Sequence, residues 1–106
     1  MGKVFAVDYD GCLMLYRQIM LMDLNRPLVA KLVKAREMGH KVILWTCREG
    51  EKLQEAIDAC KKGGLEFDAI NENIDDDEEA KHKIRANLYI DDLGMHQDKF
   101  ILDYEL

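Results

Sequence analysis

The chain has little with which to staple or interrupt itself. Its three cysteines, Cys12, Cys47 and Cys60, are odd in number and show neither a CxxC nor a paired spacing. That excludes a disulfide frame or a cysteine zinc site and predicts reduced thiols in a cytoplasmic setting. One proline and 7 glycines in 106 residues leave no linker, repeat or low-complexity tract, so a single domain over residues 1–106 is expected. Aromatics make up only 8% of the chain, and aliphatic side chains must carry the core. Positive charge is short as well: 15 Lys and Arg against 21 Asp and Glu give a net charge of −6. Such a balance disfavours a nucleic-acid patch or a grip on an anionic membrane. No apolar run nears the roughly 20 residues of a membrane span, and the opening MGKVFAVDYD is too briefly apolar for a signal peptide.

What is present is a regular alternation. Lys3–Val7 reads as a buried strand. Asn25 reads as an N-cap with Pro27 in the first turn, followed by Leu28, Val29, Leu32 and Val33 at helical spacing and closed by Gly39. KVILW, residues 41–45, is a second buried strand. From Glu49 a second helix carries Leu53, Ala56, Ile57 and Cys60 on one face and stops at Gly63-Gly64. FDAIN (67–71) reads as a weaker strand, ANLYIDD (86–92) as a fourth and KFILDY (99–104) as a last one. The alternation predicts an α/β fold with a mainly parallel sheet covered by helices on both faces. Local pattern carries no information on strand order. In LMLYRQIMLMDL (13–24) two apolar runs flank Arg17-Gln18, as in a hairpin.

The acids fall where the strands end. VFAVDYDG runs from apolar residues into Asp8 and Asp10, and ANLYIDD ends on Asp91 and Asp92. Thr46 ends the second strand. In open parallel sheets ligands bind outside the carboxyl ends of the strands, so three strands deliver polar groups to one edge. Four carboxylates there call for a cation, and hard oxygen donors suit Mg2+, which also contacts substrate phosphates. The helix opening after Thr46-Cys47-Arg48 aims backbone N–H groups at the same crevice, an anion site. Together these point to phosphate chemistry. Asp8, nearest the strand, is the expected nucleophile, and Asp10 the acid and base that protonates the leaving oxygen and then activates water. Gly11 allows the sharp turn after the pair. Thr46 and its neighbouring amides are expected to hold phosphoryl oxygens, a lysine of the basic segment to offset charge, and Asp91 with Asp92 to complete the metal site.

This set, in this order, resembles the haloacid dehalogenase-like (HAD) superfamily. Its four motifs correspond here to VDYDG with Asp8 and Asp10, LWTCR with Thr46, a lysine in AKHKIRAN, and YIDD with Asp91 and Asp92. The resemblance implies a three-layer Rossmann-like fold, Mg2+ as cofactor, and phosphohydrolase activity on a phosphorylated small molecule or macromolecule. It further implies that the Asp10 carbonyl is a metal ligand and that residues 13–24 form a flap-like insertion. Its third-motif lysine is Lys83 by distance from YIDD, with Lys81 second. Two departures stand out. Cys12 follows DxDG where the family has Thr or Val, and about a dozen residues separate Gly11 from the first helix, against the 50 or more of an independent domain. No cap domain is therefore expected. Capless members act on large substrates or borrow a neighbouring subunit as a lid.

The five acids Asp75–Glu79 read as a solvated loop or helix start, and His40, His82 and His96 lack ligand spacing. For Lys83 an exposed surface position competes with the catalytic one. Met14, Met20 and Met22 either pack on the domain body or form a subunit contact, which keeps a homodimer among the expectations. The functional alternatives to a phosphatase are a catalytically weak metal- or phosphate-binding interaction module and a phospho-accepting receiver domain. The receiver ranks last because its acidic pair precedes the phosphorylated Asp.

Overall fold

Apolar residues at alternate positions of short strands build the frame. A computed structural model describes residues 2–18, 21–72, 74, 86–91 and 94–106. In chain order the elements are β1 (Val4–Val7), β2 (Met14–Gln18), β3 (Leu21–Leu24), α1 (Arg26–Glu37), β4 (Lys41–Leu44), α2 (Gly50–Lys62), β5 (Ala69–Ile70), β6 (Leu88–Ile90) and α3 (Gln97–Asp103). Four strands form one parallel sheet in the order β5-β4-β1-β6. Val7 lies opposite Leu44 on one side and Ile90 on the other. This is the α/β architecture with a parallel sheet that the alternation predicts.

The two-residue period of β1 and β4 divides the sheet into faces. Phe5, Val7, Val42, Leu44 and Ile90 share one core with Leu28, Val29, Leu32 and Ala35 of α1, Ala56 and Cys60 of α2, and Phe100 of α3. Each such large side chain contributes about 1.5–3 kcal/mol on burial. Ala6, Ile43 and Ala69 form a smaller cluster with Val4, Ile74 and Ala86. All three described helices thus contribute to the first core. The expected cover on the second face turns on the stretch between β5 and β6, of which residues 75–85 lie outside the described residues.

The segment 13–24 is an antiparallel hairpin, β2 on β3, with Met14 opposite Leu24 and Tyr16 opposite Met22. Its first strand runs through Gln18, so Arg17-Gln18 belong to β2 and do not connect the strands. The hairpin hands the chain to α1 through Asn25. That side chain accepts from Leu28 N–H at 3.4 Å and donates to the Cys12 carbonyl at 3.1 Å. The cap read from the sequence therefore also ties the helix to the loop after β1. Gly39, at φ +95°, supplies the left-handed residue that releases the chain from α1.

Three strand readings are corrected. FDAIN narrows to Ala69–Ile70, and ANLYIDD to Leu88–Ile90. KFILDY is no strand at all, since Gln97–Asp103 is helical. There Phe100 and Tyr104, one turn apart, stack at 5.3 Å against the edge of Phe5. Lys31 of α1 reaches the last turn, donating from Nζ to the carbonyls of Phe100, Ile101 and Tyr104. A cation on those orphan carbonyls is the favoured partner for a helix C-terminus. Helix capping from 69 or more residues away, not strand pairing, therefore sets this segment.

Candidate functional site at the carboxyl edge of the sheet

Each strand of the sheet hands a polar group to the same edge. Past Val7, Asp8 N–H donates to the Ile90 carbonyl at 3.2 Å. With Val7 opposite Ile90, Asp8 and Asp91 follow on neighbouring parallel strands, about 5 Å apart in backbone spacing. On the other side Trp45 N–H donates to the Val7 carbonyl at 2.9 Å, which carries β4 up to Thr46. Thr46 N–H in turn donates to Asn71 Oδ1 at 2.8 Å. Asn71 ends β5 with φ +54°, a left-handed conformation that Asn tolerates better than most residues.

The turn after β1 is held from several sides. Asp8 Oδ1 accepts from Tyr9 N–H at 2.8 Å. Gly11, at φ +76°, donates from N–H to the Met14 carbonyl at 2.8 Å. Its own carbonyl accepts from Gln97 Nε2 at 3.1 Å. Gln97 is buried, and its Oε1 has no hydrogen-bond partner among the described residues. Cys12 is buried, with Sγ 3.5 Å from the Ile90 carbonyl. The thiol after DxDG therefore faces inward and bonds the adjacent strand.

Asp10 has a different partner from Asp8. Arg48 grips its carboxylate with Nη2–Oδ1 at 2.7 Å and Nε–Oδ2 at 2.9 Å. The Tyr16 hydroxyl, from β2, donates to Asp10 Oδ1 and accepts from Arg48 Nη2 at 3.0 Å. Arg48 also donates from Nη1 to the Lys52 carbonyl at 3.2 Å and lies with Cζ 4.7 Å from the centre of the Tyr9 ring. Its backbone N–H donates to Thr46 Oγ1 at 3.2 Å. The Arg48 hydrogen bonds hold the Asp10 carboxyl below its ordinary range, against a smaller upward push from burial. The same contacts raise Arg48, while the Asp10 bond raises the Tyr16 phenol.

The structure thus brings Asp8, Asp10, Gly11, Thr46, Arg48 and Asp91 to one edge. Cys47 lies in the same loop, exposed. Lys81, Lys83 and Asp92 lie outside the described residues. Among those described, no three His, Cys, Asp or Glu side chains gather as metal ligands, and the Asp10 carboxylate is committed to Arg48. The donor chemistry that remains, Asp8 beside Asp91, suits Mg2+, which binds through one or two carboxylates and keeps several waters. Tyr16, Asn71 and Gln97 escape sequence reasoning. Only the two amides carried a signal, as polar residues next to strand or helix ends.

Fold and edge together define an α/β protein with a parallel sheet and polar side chains gathered at its carboxyl end. No family model matches the chain, and no curated protein does. A solved structure, that of a conserved protein from Bacteroides thetaiotaomicron, is similar at 38% identity over 87% of this chain and 77% of that one, with a TM-score of 0.68. The chain belongs to the same family as that Bacteroides protein.

Proposed function

We propose that the protein is a Mg2+-dependent phosphohydrolase that cleaves a phosphomonoester through an aspartyl-phosphate on Asp8. The observation that supports this reading is the edge itself: Asp8 and Asp91 on adjacent strand tips, with Thr46 and Arg48 on the tip beside them. When bound there through Asp8 and Asp91, Mg2+ would screen the carboxylates and draw charge from the phosphoryl oxygens. An Asp8 oxygen attacks phosphorus as the ester P–O bond breaks, and Asp10, which takes up a proton once it is released from Arg48, gives that proton to the departing oxygen. Water then attacks the phosphoaspartate, returning its proton to Asp10 and freeing Asp8 and phosphate. Thr46 Oγ1, at the sheet edge beside Asp8, would contact a phosphoryl oxygen. Lys83, or Lys81, would carry the third-motif charge. The substrate class is a phosphorylated small molecule or macromolecule.

Hydrolysis of an aryl phosphate with and without Mg2+ tests this. Metal-dependent turnover that drops about 1,000-fold or more in Asp8→Asn is expected, and Asp10→Asn loses about 100- to 10,000-fold, the span of general acid–base catalysis. Equal rates in wild type and Asp8→Asn would remove Asp8 as nucleophile. The second reading, a metal- or phosphate-binding module without turnover, draws on the Arg48–Asp10 pair, which ties up the expected acid. It gains if aryl and alkyl phosphates alike go unhydrolysed while phosphate still binds.

A further inference from the structure

We infer that Arg48 and the Tyr16 hydroxyl form an oxyanion clamp that the Asp10 carboxylate occupies as an internal stand-in, and that a phosphoryl group of the substrate displaces Asp10 from it. The inference rests on the phosphohydrolase reading and adds to it a substrate-contacting residue on the hairpin and an exchange step at the site.

The guanidinium is fixed before any ligand arrives. Its face lies on Tyr9, Nη1 is tied to the Lys52 carbonyl, and the backbone of Arg48 is bound to Thr46 Oγ1. That leaves the Nε and Nη2 edge as the variable position, and Asp10 fills it with both oxygens. Carboxylate and phosphoryl groups meet this edge with the same two-pronged geometry, so one replaces the other without rebuilding Arg48. The pair is also of the exchangeable kind. Asp10 keeps 44% of its side chain exposed, so an anion from solution can reach the edge it fills.

Tyr16 completes the clamp. Its hydroxyl sits between Arg48 Nη2 and Asp10 Oδ1, where the oxygen of an incoming anion takes over the Asp10 position and the donated proton with it. Because Tyr16 stands on β2, the hairpin is fastened to the site both through Arg48 and through the occupant of the clamp. Displacement also frees the Asp10 carboxylate from the cation that holds it, next to where the leaving oxygen must be protonated. Specificity follows: a neutral or singly hydrogen-bonding ligand cannot compete with a bidentate internal carboxylate, whereas a phosphate dianion can.

The test is binding, measured without divalent metal so that turnover plays no part. Inorganic phosphate and phenylphosphonate are titrated into the full chain, followed by calorimetry and by the Arg48 Nε–H resonance. Both probes are expected to move that resonance. Asp10→Asn should bind them about two- to fivefold tighter than wild type, the scale of an exposed ion pair, and by more than the charge-matched Asp8→Asn. Tyr16→Phe should bind about two- to fivefold more weakly, and Arg48→Lys at least about tenfold more weakly, as expected for losing charged hydrogen bonds. An unmoved Arg48 resonance, or equal gains from Asp10→Asn and Asp8→Asn, would overturn the clamp. Since catalysis is not read, a clamp that binds as described survives failure of the phosphatase assay, and an active phosphatase with an unmoved Arg48 disproves the clamp alone.

Discussion

Asp68 shows what one side chain contributes to a two-residue strand. Its Oδ2 accepts from Val42 N–H at 2.7 Å while its own N–H donates to the Val42 carbonyl at 2.8 Å. Arg36 of α1 meets the same carboxylate at 3.1 Å through both Nε and Nη2. Burial pushes the Asp68 carboxyl up, but the Arg36 and Val42 hydrogen bonds outweigh it and the net direction is down. A carboxyl lowered in the folded state lends stability above its unfolded value of about 3.9 and loses it as pH falls through the lower folded value. With Arg36 still a third exposed at 32%, the pair contributes about 1 kcal/mol or less. Asp68→Asn keeps the acceptor for Val42 and loses the charge. Urea unfolding at pH 7 should therefore show a deficit of up to about 1 kcal/mol that begins to shrink as pH falls below about 4. A deficit unchanged at pH 3 would show that shape, not charge, matters at this position. Asp68 gave no signal in the sequence, because an acid inside FDAIN reads as a weak strand and its partner lies 32 residues away.

Among the elements, the helices announced themselves and the last one did not. Asn25, Pro27 and Gly39 mark both ends of α1, and each does what its chemistry predicts. In α3, by contrast, KFILDY carries a short continuous apolar run, Phe100–Leu102, that passes for a buried strand. Phe100 is buried and Leu102 is 80% exposed, a helical pattern too short to register in seven residues. Its N-cap, His96 accepting from Asp98 N–H at 3.2 Å, is an uncommon one, and its C-terminal partner Lys31 belongs to α1. Lys31→Met should accordingly destabilise the protein by about 1–2 kcal/mol, the loss of charge-assisted bonds to helix-end carbonyls. Amide exchange would locate the effect: protection should fall in residues 97–104 and hold in β1 and β4. Uniform loss of protection would mean that Lys31 supports the whole core and not the helix end. The hairpin was legible as two apolar runs, yet Arg17-Gln18 belong to its first strand, because nothing in LMLYRQIMLMDL marks a turn.

At the scale of the molecule, site and sheet order are one fact. The order β5-β4-β1-β6 puts β1 in the centre, so Asp8 has Thr46 on one flank and Asp91 on the other. Periodicity within a segment says which residues face inward but nothing about which segment lies alongside. The candidate acids were therefore legible, while the Arg48–Asp10 pair, 38 residues apart, was not. A central strand also sets Asp8 and Asp91 on adjacent tips, where an ion shared between them would join β1 to β6. Mg2+ binding the folded state alone, at ten times its Kd, should add about 1.4 kcal/mol, or roughly 5 °C in Tm for a chain of this size. Asp91→Asn keeps an acceptor for the Gly94 N–H that Asp91 Oδ1 now accepts, and it removes one of the two charges that would hold a shared ion. Without metal this variant should melt no lower than wild type, and with Mg2+ it should gain little. Thermal scans of both proteins with and without the ion would thus cross. Parallel gains in the two proteins would locate the bound ion away from Asp91, and no gain in either would leave the strand tips without a metal to share.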